Sequence, residues 1–149
     1  MIKGKVMEHK ELILEFLGKN RLMSLATCTK NTPWAATVFF AYDIENLDLF
    51  FFSRPDTKHC TDIAANPLVA VTFNQFWGEK MSVKGLQIVG RASRVLKGEG
   101  LVRSYAIFLK RHPWAALYAA DHTLYVIHPD EIHHINQEAF GHFNRVRVK

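Results

Sequence analysis

The sequence predicts a mainly β fold, a single domain over residues 1–149 built as a six-stranded antiparallel β-barrel with helices. Three observations carry this. Segments 22–28, 34–42 and 47–53 are apolar strand candidates joined by turns too short for a parallel crossover. Three more strand candidates follow, at 68–74, 86–95 and 123–127. The helical segments stand isolated among them, which suits helices plugging a barrel or a curled sheet.

The elements follow in order. Residues 7–19 read as an amphipathic helix: Leu12, Ile13, Phe16 and Leu17 recur at helical spacing, and Gly18 and Asn20 end it. Strand 22–28 turns through Thr29-Lys30-Asn31-Thr32-Pro33 into strand 34–42. Asp43-Ile44-Glu45-Asn46 turns into strand 47–53, almost continuously apolar after Asp48, as expected of a strand buried on both faces. Pro55-Asp56-Thr57 stops it and opens a short helix over 58–65, which Asp56 or Thr57 can cap. Asn66-Pro67 ends that helix. Strand 68–74 alternates Val69, Val71 and Phe73 against Ala70, Thr72 and Asn74. Residues 76–80 read as a loop, and strand 86–95 carries Gly90 as a bulge or bend. A second amphipathic helix over 99–111 bears the stripe Leu101, Val102, Tyr105, Phe108 and Leu109. Residues 114–118 form a turn after Pro113, and the sixth strand starts at Thr123 and can run past Pro129 to Ile135. The tail after Asn136 is mixed and poorly periodic.

Composition narrows the class. With 48% hydrophobic and 22% charged residues, the 149-residue chain is long enough for one core and too apolar for disorder. No apolar run approaches the ~20 residues that span a bilayer, and no signal core follows the basic start, so a cytoplasmic protein without a membrane partner is expected. Cys28 and Cys60 are expected to be reduced thiols, at least one in the core. The net charge of +5 suits an anionic partner, but the cations are scattered and no basic stripe with interleaved aromatics appears, so nucleic acid is not expected.

The stretch Leu49-Phe50-Phe51-Phe52-Ser53, then Thr57-Lys58-His59, Asn66-Pro67 and Val69-Ala70-Val71, followed by Gly85-Leu86-Gln87-Ile88-Val89-Gly90-Arg91-Ala92, resembles the pyridoxamine 5′-phosphate oxidase-like FMN-binding split barrels. The resemblance extends over residues 7–135 and is nearest a small, poorly characterised subgroup. It implies a homodimer with FMN at the subunit interface and an oxidoreductase activity on an unidentified small molecule. The deazaflavin F420 and haem are the alternative cofactors, and a non-enzymatic cofactor binder is the alternative function. The true oxidases carry an arginine on the second strand that grips the FMN phosphate. Here Ala35-Ala36-Thr37-Val38 stands there without a cation. Their Arg-x-His near the C-terminus has only a weak echo in Gly141-His142-Phe143.

The resemblance assigns the phosphate to the start of the 58–65 helix. Lys58 would add a charge-assisted bond, Thr57 its hydroxyl and His59 a ring N–H. It assigns the flavin ring to Ala36, Thr37, Val38 and Phe39 and to Phe52 and Ser53. Asn74, Gln75 and Gln87 are amides on or beside apolar strands. They need partners, which the flavin's pyrimidine edge or neighbouring backbone could supply. Local sequence alone also fits a plain helix cap at Thr57 and a solvated Lys58. Trp77, Trp114 and Tyr118 read as core or dimer packing, or as residues closing the site from a partner subunit. His128, His133 and His134, with Asp130 and Glu131, show no metal-ligand spacing and read as exposed histidines on an edge strand. On a regular strand His128 and His134 would share a face. No nucleophile–base pair is legible, so the chemistry of an enzyme would lie in the flavin.

Overall fold

A computed structural model describes residues 2–76, 83–142 and 144–149, with the side chains of 9–73, 83–142 and 144–149. α1 (Ile2–Lys19) starts earlier than its periodicity suggests and lays Ile13, Phe16 and Leu17 on the core. β1 (Leu22–Thr29) and β2 (Thr32–Tyr42) form a hairpin around Lys30 and Asn31, both left-handed at φ 50° and 58°. Two central residues at positive φ match the twist of the flanking strands. β3 (Leu49–Ser53) is buried along its whole length. Leu49 and Phe51 face the barrel interior, whereas Phe50 and Phe52 face a second apolar cluster with Phe108 and Leu124. A strand buried on both faces thus reflects a helix packed outside the barrel.

α2 (Lys58–Ala65) plugs one end of the barrel with Cys60 and Ile63. β4 (Leu68–Phe76) pairs with β5 (Val83–Arg94), and β5 with β6 (Thr123–Asn136). The first half of β6 also pairs with β3, closing the ring β3-β2-β1-β4-β5-β6. β6 runs through Pro129, and the register shifts between Val89 and Gly90 of β5. Gly90 permits this close approach: a Cβ there would lie 2.6 Å from the His128 carbonyl oxygen. α3 (Glu99–Arg111) packs outside the barrel and leads into a 3-10 turn, Pro113–Tyr118. His112 donates Nε2–H to the Phe40 carbonyl at 2.7 Å and fixes that end of α3 to β2.

The aperiodic tail differs from expectation. It forms α4 (Gln137–Phe140) and a short β7 (Arg145–Arg147) that pairs with the second half of β6, so the sheet has seven strands, six of them in the ring. Three residues are too few to show a period in sequence. Of the expected loop 76–80, Phe76 belongs to β4 and residues 77–80, with Trp77, lie outside the described residues. The histidine segment also differs. The extra residue Asp130, between Pro129 and Glu131, breaks the alternation, so His134 is buried while His128 is exposed beside Asp48 and His133 lies against Glu131. Among the described residues no cluster could hold a metal ion, and no helix is long and apolar enough to cross a membrane. Cys28 and Cys60 are both free thiols, and Cys60 is buried.

Candidate cofactor site

The ring is split between β2 and β3. The two strands pair only over Phe40–Tyr42 and Leu49–Phe51. Upstream of Phe40, β2 follows β1, while Phe52 and Ser53 pair only with Leu124 and Thr123 of β6. The start of α2 sits beside this seam because Arg54-Pro55-Asp56-Thr57 turns the chain back directly after β3.

Side chains from β3 and α2 meet there. The ring Nε2 of buried His59 lies 2.9 Å from Ser53 Oγ and 3.3 Å from Thr57 Oγ1. Burial lowers the His59 pKa, opposed by the charge of Asp62, so the imidazole is neutral near pH 7. Thr57 is the N-cap residue of α2, but its hydroxyl donates to the Arg54 carbonyl at 2.8 Å and makes no cap bond. Asp56 pairs with Arg54 instead. The expected side-chain cap is therefore not formed, and the first-turn amides of α2 have no intrahelical acceptor.

Lys58 is not simply solvated. Its ammonium bonds the carboxylate of Asp62 one turn on and lies 6.0 Å from the centroid of the Trp34 ring. Asp62 is buried and also accepts from Thr27 and Thr29, each at 2.8 Å. The Lys58 bond above all holds the Asp62 pKa below the usual carboxylate value. An ammonium has three donors, and Asp62 takes one, so Lys58 retains capacity for a second anion.

The other expected site residues separate into groups. Ala36 and Val38 face inward, register partners of buried Leu25 and Met23, on the same face of β2 as Trp34. Phe52 points away from the seam, into the cluster under α3. Thr37 and Gln87 lie on the outer face of the sheet. They belong to one cross-strand row, Thr37, Ser24, Thr72, Gln87, His133 and Arg147. Three strand spacings, about 14 Å, separate Thr37 from Gln87. Arg145 donates to Gln87 Oε1 at 3.2 Å. The side chain of Gln75, like that of Asn74, lies outside the described residues.

Sequence reasoning missed Asp62, Thr27 and Trp34 at the seam. The Lys58–Asp62 spacing of four residues was the readable signal. It also missed the outer face as a unit. A row of small residues, Ala35, Ala26 and Ala70, runs beside the polar row, and a groove of about 610 Å³ lies over both. Leu22, Phe39, Leu68 and Val89 are exposed on this same face. Next to Phe39, a smaller hollow of about 380 Å³ is lined by Trp114, Tyr118 and His122.

A closed antiparallel ring with a β2–β3 split and a helix start at the split defines a split barrel. Residues 9–136 match the family model for pyridoxamine 5′-phosphate oxidase, and the chain belongs to that family. Among curated relatives, a UPF0306 protein of Haemophilus ducreyi is 24% identical over 127 residues, covering 85% of this chain and 86% of that one. The fold is also similar to a heme-binding protein from Mycobacterium smegmatis (TM-score 0.73, 17% identity), covering 89% of this chain and 55% of that one. A FAD-binding protein from Mesorhizobium loti is similar as well (TM-score 0.65, 21% identity), with 76% of this chain and 84% of that one covered. The chain therefore spans about half the length of the Mycobacterium protein.

Proposed function

We propose that the protein binds flavin mononucleotide in the β2–β3 seam, between two copies of the chain packed through the outer sheet face, and works as an oxidoreductase. The observation that carries this reading is the start of α2. Its helix end lacks a side-chain cap, and the hydroxyls of Ser53 and Thr57, the His59 imidazole and the Lys58 ammonium gather around it. Backbone donors, a favourable helix dipole and a cation are the chemistry that a phosphate monoester needs. Lys58 would bridge the phosphate and Asp62, so Asp62 positions the cation rather than cancelling it.

When bound, the flavin ring supplies the redox chemistry. The chain's own part is to anchor the phosphate, to set the ring against the β2 backbone around Thr37 and to keep water from it. Small side chains at Ala35 and Ala36 allow a flat ring to approach that backbone. The outer face supports the dimer: it is lined by small residues and bordered by exposed Leu22, Phe39 and Leu68. A two-fold axis through it would bury that apolar surface. F420 shares the phosphate and the three-ring plane and would meet the same groups.

A haem-holding reading has its own observation. His122 in the aromatic hollow holds its Nδ1 2.6 Å from Asp121 Oδ1. A carboxylate on one ring nitrogen orients the other as a donor to iron.

The test is to purify the protein, denature it and identify any released small molecule by mass spectrometry, then titrate the stripped protein with FMN. FMN recovered or taken up at one per chain supports the reading. Colourless protein that takes up no FMN removes it, and a haem spectrum changed by His122→Ala transfers the site to the aromatic hollow.

A further inference from the structure

We propose that a second site, the groove between the N-terminal half of α3 and the sheet, binds an amphipathic anion: an apolar chain ending in one carboxylate. This groove lies on the opposite side of β3 from the seam. Phe52 points into it, while its neighbour Ser53 points to His59.

Helix α3 is anchored at its C-terminal end and, through an ion pair of Arg103, to Asp43 just after β2. Phe108 is fully buried and His112 is bonded to β2. On the groove side its first half leaves apolar surface uncovered: Val102 is 72% exposed, and Leu101 and Tyr105, packed against the second cluster, are only partly covered. The gap holds about 940 Å³, near the upper end for small-molecule sites. Its walls are apolar, formed by Phe52, Val95, Leu101, Tyr105, Leu109 and Leu124. The stripe on α3 is thus wider than its packing requires, and exposed apolar surface of this extent marks a binding groove.

Beside the neutral polar groups of Tyr105, His122 and Thr123, the charged groups that line the groove have one sign. Arg94 and Lys97 line it, and no acidic residue does. Among the described residues neither cation has a carboxylate partner. Arg94 donates only to Thr123 Oγ1, at 3.3 Å. The Tyr105 hydroxyl is shielded from solvent and has no hydrogen-bond partner, so it is a donor in need of an acceptor. A cationic ligand would meet two like charges, and a neutral one would leave both unused. A carboxylate on an apolar chain answers both the walls and the charges.

The test is calorimetric titration of the full chain, as purified, with dodecanoate, dodecanol and dodecyltrimethylammonium below their aggregation limits. We expect saturable binding of one dodecanoate per chain, weaker binding of the alcohol and none of the cation. Filling the groove with Ala106→Trp, at an exposed helix position, should weaken dodecanoate by about twentyfold through steric loss of the site. Val102→Glu, also exposed, is the second variant should the first fail to fold. Replacing Arg94 and Lys97 together by Gln should weaken dodecanoate about tenfold through loss of charge-assisted bonds and leave dodecanol unchanged. Absence of saturable binding, equal affinity for acid and alcohol, or indifference to the groove-filling variants overturns the proposal. So does a fall in sedimentation mass caused by Ala106→Trp, which would make the groove a contact between copies.

Discussion

Lys58 and Asp62 stand one helical turn apart on α2 and form an ion pair whose carboxylate is buried and whose ammonium is partly exposed. The pair ties the helix start to the end of β1, because Asp62 also accepts from Thr27 and Thr29. A single carboxylate thus holds α2 over the barrel end and fixes the cation offered at the seam.

Asp62→Asn should therefore act on both stability and ligand. The Thr27 and Thr29 hydroxyls would lose their charged acceptor and Lys58 its anchor. We expect a lower melting temperature and weaker FMN binding. The pH dependence has a definite sign. Asp62 has a depressed pKa in the folded chain, so its contribution is present above the carboxylate's ordinary value of 3.8 and is lost as pH falls through the folded value. Thermal melts between pH 7 and acid should show a steeper acid loss in the wild type than in Asp62→Asn; parallel curves would contradict this.

His134 gives a second pH signature, in a higher window. It is buried beside Phe140, its Nδ1 has no partner, and burial pushes its pKa from 6.5 down to about 4. The unfolded chain takes up a proton near pH 6.5 that the folded chain refuses until about 4. Stability is full above that window and falls as pH drops through it, by about 3 kcal/mol. Denaturant midpoints of His134→Phe should be flatter than wild type between these limits.

Gly90 tests the bulge. A Cβ there would meet the His128 carbonyl oxygen at 2.6 Å and Ile127 Cγ2 at 3.1 Å, both in β6. Gly90→Ala should cost about 2 kcal/mol by forcing the strands apart, lowering the melting temperature by roughly 5 °C for a chain of this size. A melt within a degree of wild type would show that β6 yields without strain.

Ala70 tests the outer face. It lies on an exposed row between Ala26 and Val89. Ala70→Arg places a charge at the centre of the proposed two-fold contact, so sedimentation should shift from dimer to monomer with far-UV circular dichroism unchanged. A variant that remains dimeric would remove this face as the interface.

Much of the barrel was legible because strands impose a period of two and short turns impose antiparallel neighbours. Val69, Val71 and Phe73 alternate inward as read, and Lys30-Asn31 sits at the hairpin tip. Illegible features depend on contacts distant in sequence. The closing of the ring by β3 and β6 joins residues some seventy apart. β7 exists only because the edge of β6 is free to pair. The site was legible in part. Ser53, Thr57, Lys58 and His59 meet at the seam because they flank one turn. Whether Thr57 caps its helix depends on the Arg54 carbonyl, and where Lys58 points depends on Asp62 held from β1; local propensity encodes neither. Phe52 faces α3 because β3 alternates between two cores, which a continuous apolar run conceals.

The central claim is that the start of α2 recognises a phosphate. The most direct measurement compares FMN with riboflavin, which has the same ring and ribityl chain but no phosphate, in the wild type and in Lys58→Gln. Binding to stripped protein should favour FMN over riboflavin by about a hundredfold, as expected of several charge-assisted bonds. Most of that preference should vanish in Lys58→Gln, with riboflavin affinity unchanged. Equal affinity for FMN and riboflavin in the wild type would contradict the account.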